Sequence, residues 1–135
     1  MKDKFVNYEL SERLIKIGFD EPCIATYYWG NKTLNGMSYL WLTNKDRFSQ
    51  LHNSSNPIQY GFGAPLWEDA FDWFRRKYKL SGEPRSYQFY FSYYIIKDTL
   101  GDNQCIALKH KFETYKEARL SCLEKLIEIV EQNER

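Results

Sequence analysis

The sequence predicts an α+β fold of two layers, an antiparallel sheet with helices on one face. Three observations predict it. Apolar residues recur at helical spacing in three separated segments, aromatic and β-branched stretches between them alternate across two faces, and glycine or proline marks the switches of period. The predicted order is α-β-β-(loop)-α-β-β-α, which buries its apolar surface by laying helices against one side of the sheet.

Tyr8 to Ile17 read as the first helix: Val6, Leu10, Leu14 and Ile17 form its stripe, and Gly18 stands at the C′ position that favours a left-handed backbone. Pro22 forbids continuation, and Cys23 to Trp29 is rich in strand formers. The Gly30–Gly36 stretch has turn chemistry at both ends, so Tyr39 to Leu42 is expected as the returning strand of a hairpin. From Asn44 to Gly63 the chain is polar, centred on Asn53-Ser54-Ser55-Asn56-Pro57. Mobility is expected to peak in Asn44 to Asn56, with one short strand near Ile58 to Phe62.

Pro65 suits the first turn of a second helix, Leu66 to Leu80. Leu66, Trp67, Ala70, Phe71, Trp73 and Phe74 occupy about 160° of its circumference. Its acids come early and its bases late, which complements the macrodipole, and Gly82 and Pro84 are expected to end it. Tyr87 to Lys97 is the strongest strand: Tyr87, Phe89, Phe91, Tyr93 and Ile95 share one face, and Gln88, Tyr90, Ser92, Tyr94 and Ile96 the other. A turn at Leu100 to Asn103 leads into a strand from Gln104 to Lys109.

The last helix, Thr114 to Gln132, opens with a Thr114–Glu117 capping box. Ala118, Cys122, Leu126 and Ile129 form one stripe; Leu120, Leu123, Ile127 and Val130 form a second beside it. Together they span about 200°, roughly twice the apolar arc of an ordinary surface helix. Such a helix either lies between two layers of its own chain or reserves one stripe for a partner. Leu120, Leu123 and Ile127 are therefore the expected contact of a two-fold homodimer.

At 135 residues, one domain with its own core is expected. The 18% aromatic content argues for order, and a net charge of +1 lacks the basic excess of a protein that lives on phosphate backbones. Three cysteines without a C-x-x-C, and no apolar segment after Met1, lead to the expectation of a reducing cytoplasm. No apolar run reaches the roughly 18 residues of a membrane span.

Chemistry-bearing constellations are sparse. His52 and His110 are the sole histidines. Cys105 and His110 lie five residues apart, which on a regular strand puts them on opposite faces; a Cys23–His52 pair across the fold stays open. No ligand spacing for a metal is present, and no cofactor is expected. Glu68, Asp69 and Asp72 read as a solvated helix face. Gly61-Phe62-Gly63-Ala64-Pro65 lacks the Lys-Ser/Thr of a phosphate loop. Arg75, Arg76, Lys77, Lys79 and Arg85 form a local basic cluster, the candidate nucleic-acid contact. The α-β-β-α order of this half resembles that of a double-stranded-RNA-binding domain, without the dense lysines such domains carry at the last helix start.

The segments 64–78 (Ala-Pro-Leu-Trp-Glu-Asp-Ala-Phe-Asp-Trp-Phe-Arg-Arg-Lys-Tyr) and 115–130 (Tyr-Lys-Glu-Ala-Arg-Leu-Ser-Cys-Leu-Glu-Lys-Leu-Ile-Glu-Ile-Val) carry a wider likeness, joined by the aromatic strand region and by Gly18 to Cys23. The chain resembles a group of small uncharacterised proteins of gut anaerobic bacteria and their phages or mobile elements. The resemblance implies a cytoplasmic accessory protein and transfers no functional residues. The expected function is accordingly a non-enzymatic protein-interaction module, self-associating through the last helix. Nucleic-acid binding through Arg75 to Arg85 is the alternative, and an enzyme of undefined class the third reading.

Overall fold

A computed structural model describes residues 4–23, 25–28, 31–35, 42–43 and 61–133. The chain is α+β, with antiparallel pairing throughout the described strands. Expected from its length to form one domain, it groups into two compact units, Met1–Ala70 and Phe71–Arg135. The boundary falls inside a helix rather than in a linker.

The N-terminal unit begins with helix α1 (Tyr8–Lys16). Asn7 caps it, its Oδ1 accepting from the Leu10 N–H at 2.9 Å. Gly18 takes the left-handed φ of 102° expected of it. The Phe19 N–H donates to the Leu14 carbonyl and the Gly18 N–H to that of Ile15, each at 3.0 Å, which closes a Schellman motif.

The strands that follow are β1 (Pro22–Cys23), β2 (Ala25–Tyr28), β3 (Asn31–Asn35), β4 (Leu42–Thr43) and β5 (Gly61–Ala64). The hairpin is tighter than expected: β3, the stretch read as a turn, is itself the returning strand, with Tyr28 opposite Asn31 and Thr26 opposite Asn35. Leu42 and Thr43, read as that returning strand, pair instead with Cys23 and Pro22. The strand expected near Ile58 to Phe62 appears as β5, antiparallel to β2. Residues 44–60, with the expected mobile segment, lie outside the described residues.

The core of this unit is aromatic. Phe5, Ala25, Tyr27, Phe62 and Ala64 are buried together, with Tyr8, Ile15 and Leu66 packed against them. Tyr27 and Phe62 stand 5.8 Å apart, and Tyr8 meets Tyr27 edge-on at 5.5 Å. The Tyr27 and Ser11 hydroxyls both donate to the Val6 carbonyl, at 3.0 and 3.1 Å. The Val6 N–H in turn donates to the Pro65 carbonyl at 2.8 Å, tying the N-terminal segment to the chain beyond β5.

Helix α2 (Trp67–Tyr78) leads into the C-terminal unit, whose sheet has the order β6 (Leu80–Ser86), β7 (Phe91–Thr99), β8 (Asp102–Phe112). Gly82 and Pro84 do not merely end the helix: they belong to a seven-residue strand unforeseen in the sequence. The helix stops at Tyr78, and Lys79 turns the chain with a left-handed φ of 58°. Tyr87 to Tyr90 forms the β6–β7 connection rather than the start of a strand, closed by Tyr87 N–H donating to the Tyr90 carbonyl at 2.7 Å. Helix α3 (Tyr115–Asn133) follows, with Thr114 Oγ accepting from the Glu117 N–H at 3.2 Å, one half of the expected capping box.

One face of this sheet carries the helices. Gly82, Ile95 and Ala107 are in register across the three strands. A Cβ at Gly82 would lie 2.8 Å from Leu126 Cδ1, 2.9 Å from Cys122 Sγ and 3.1 Å from a Phe71 ring carbon. Residues of both α2 and α3 thus close on the sheet where one strand residue has no side chain.

Candidate functional site

The expected partner stripe of the last helix is the first site to place. Leu123 and Ile127 are fully buried within the chain, as are Ala118, Cys122 and Leu126, and Val130 is nearly so; Leu120 is half-buried. Most of the wide arc therefore lies in the chain's own core, with Leu120 and Ile129 half-buried, and Leu123 and Ile127 offer no surface to a second copy. Period and hydrophobicity cannot separate these outcomes, because a helix buried on two sides and one awaiting a partner carry the same stripe.

The basic cluster is also divided. Arg76 Nε lies 2.8 Å and Arg75 3.4 Å from the Asp72 carboxylate on the exposed side of α2. Lys77 Nζ sits 5.0 Å from the centroid of the Trp73 ring. Lys79 occupies the joint between α2 and β6, while Arg85 stands far along β6. Five cations adjacent in sequence are thus distributed over a helix, a turn and a strand.

Thiol chemistry fares no better. Cys122 is buried, and burial, assisted by the negative charge of Glu83, pushes its thiol up to about 12, against a backbone hydrogen bond at Glu83 that acts to lower it. Cys23 is buried and donates weakly to the Glu21 carbonyl at 3.6 Å; His52 lies outside the described residues. Cys105 and His110 are both exposed. Contrary to simple alternation they share a side of the sheet, because Ile106 is an extra residue between the pairs Ile95–Ala107 and Ile96–Cys105. Five residues of extended chain still separate them by about 16 Å, too far for a dyad. Among the described residues no group of His, Cys, Asp or Glu is arranged to hold a metal ion.

What the sequence did not single out is the other face of the C-terminal sheet. Glu83, Tyr94 and Leu108 are in register across its three strands. The Arg85 guanidinium lies 4.5 Å from the Tyr94 ring centroid. At the hairpin end Tyr87 stacks on Tyr90, with centroids 5.2 Å apart and planes at 24°, and His110 meets Tyr90 edge-on at 6.0 Å. Tyr87 is 45% exposed and Leu108 55%, so these apolar groups are presented rather than packed. Ser92, between Tyr90 and Tyr94 along the strand, is fully buried, and its hydroxyl has no partner among the described residues. The alternation of Tyr90, Ser92, Tyr94 and Ile96 onto one face was legible; which of the two faces the helices would cover was not.

A groove of about 570 Å³ runs on the helix side between α3 and β8, lined by Tyr93, Lys109, Ser121, Glu124 and Glu128 among others. Burial raises the Tyr93 phenol, and its hydrogen bond with Ser121 partly offsets this. Glu128 is held by Lys125 at 3.4 Å.

No family model matches the chain, and neither the curated proteins nor the solved structures contain a match to it. Among the described residues no helix is long and apolar enough to cross a membrane.

Proposed function

We propose that this chain is a non-enzymatic accessory protein, of the phage- or mobile-element-related kind its sequence resembles, that acts by binding another macromolecule. The observation that carries this reading is the exposed side of the C-terminal sheet and its hairpin end: Arg85, Leu108, His110 and half-buried Tyr94 on the strands, with Tyr87 and Tyr90 in the β6–β7 connection. Exposed aromatic and arginine side chains on a stiff scaffold are the groups that dominate binding energy at macromolecular contacts.

A homodimer in this reading cannot use Leu123 and Ile127 and would need another surface. The free edge of β8 is poorly suited. It has extra residues near Ile106 and near Lys111, whose φ is 72°, and exposed Lys109 and Lys111, the devices that discourage strand addition at an edge. Affinity purification of the tagged chain from its host, run beside Tyr94→Ala, tests the proposal. A macromolecule that accompanies the natural chain and is lost with the variant is expected. Saturable turnover of a small molecule by the purified chain would overturn it.

A further inference from the structure

The geometry points to single-stranded nucleic acid as the macromolecule this face takes, an inference that rests on the binding-module reading above. Bases present flat π-faces that stack on aromatic rings and on guanidinium planes irrespective of sequence. The face offers two such stations. One is Tyr87, stacked on Tyr90; the other is Arg85, lying over Tyr94. Tyr90 and Tyr94 are four residues apart, about 13 Å along extended chain, so each station takes its own base.

Charge supports the same occupant. His110 and Lys111 are exposed side by side on β8, and Arg85 lies on β6 at the opposite edge of the sheet. Phosphates passing between the stations meet cations on both flanks, with Glu83 the acid in register with Tyr94. A protein partner would be better served by a contiguous apolar centre from which charges are depleted. Here Arg85, Glu83 and His110 are interleaved with the rings. A duplex keeps its bases stacked internally and presents none to these side chains, so the open face selects splayed single strands.

Anisotropy of fluorescein-labelled oligothymidylate and oligouridylate, beside a duplex of equal length, provides the test. Both single strands are expected to bind at micromolar concentration and better than the duplex, more weakly in about 200 mM than in about 50 mM salt. Tyr87→Ala and Arg85→Ala should each weaken binding at least about fivefold, the lower end of what one stacked base contributes. Tyr94→Phe should retain it, because the ring that supports Arg85 remains. Arg76→Ala, on the helix, should change it by less than about twofold. Tyr87 lies outside the strands, so its variant keeps the test valid should Arg85→Ala fail to fold.

No single-strand binding at high micromolar concentration overturns the inference. Equal losses with Arg76→Ala and Tyr87→Ala also overturn it, by moving the contact to the helix. If a protein is captured in place of nucleic acid and lost with Tyr87→Ala, the inference falls while the binding-module reading stands. If face variants change no interaction at all, both fall.

Discussion

The two units solve the same problem, burying aromatic surface, by different means. In the N-terminal unit, strands of two to five residues hold a cluster of rings, and polar contacts fix the pieces: Tyr27 and Ser11 both donate to Val6, whose N–H reaches Pro65. In the C-terminal unit three strands of seven to eleven residues form a continuous antiparallel meander, and closeness to the helices is fixed by a missing side chain at Gly82. One unit is tied by hydrogen bonds between its segments, the other by van der Waals fit between a strand and the helices that pack on it. The difference predicts where substitutions act most strongly.

The largest effect should come from Leu123→Glu, which places a carboxylate at a position with no solvent access. A loss above about 4 kcal/mol, seen as a C-terminal unit unfolded at room temperature by near-UV circular dichroism, is expected. A folded variant that merely changes oligomeric state would restore the last helix as a dimer contact. Next comes Phe71→Ala, which removes a buried ring from the helix side of the sheet and should lower stability by about 3–5 kcal/mol in urea titration.

Gly82→Ala should be destabilising by about 1–3 kcal/mol, because the added methyl meets Leu126 and Cys122 inside van der Waals distance. A neutral outcome would mean that α3 can lift without loss, and that the fit ascribed to this unit is loose. In the N-terminal unit Tyr27→Phe should cost about 1 kcal/mol, since the Val6 carbonyl keeps the Ser11 hydroxyl as donor. A much larger loss would show the polar network to be cooperative.

The smallest effect is pH-dependent. Cys122 has its thiol raised from 9.0 to about 12 in the folded chain, first by burial. The unfolded chain therefore releases this proton at lower pH than the folded one. The stabilising contribution is complete below about pH 9 and declines as pH rises toward 12. Thermal melts at rising alkaline pH should show the natural chain losing stability faster than Cys122→Ala; parallel curves would remove the thiol as the cause.

The sequence by itself determined the α+β class, the three described helices to within a residue or two, and the caps at Gly18 and Thr114, because stripes and capping depend on neighbours three or four residues away. It also determined which residues of β7 share a face. Only tertiary structure decided which strands pair: the turn residues Asn31 to Asn35 became a strand because β2 lay beside them, and Gly82 and Pro84 became a strand because β7 offered them partners. Strand propensity is chiefly a record of such neighbours, so isolated residues announce it weakly. Burial was decided at the same level. The second stripe of the last helix and the tyrosine-bearing face of the sheet are both apolar in sequence, yet one is covered and the other is not. That outcome depends on what packs against each, a relation between segments that no single segment contains.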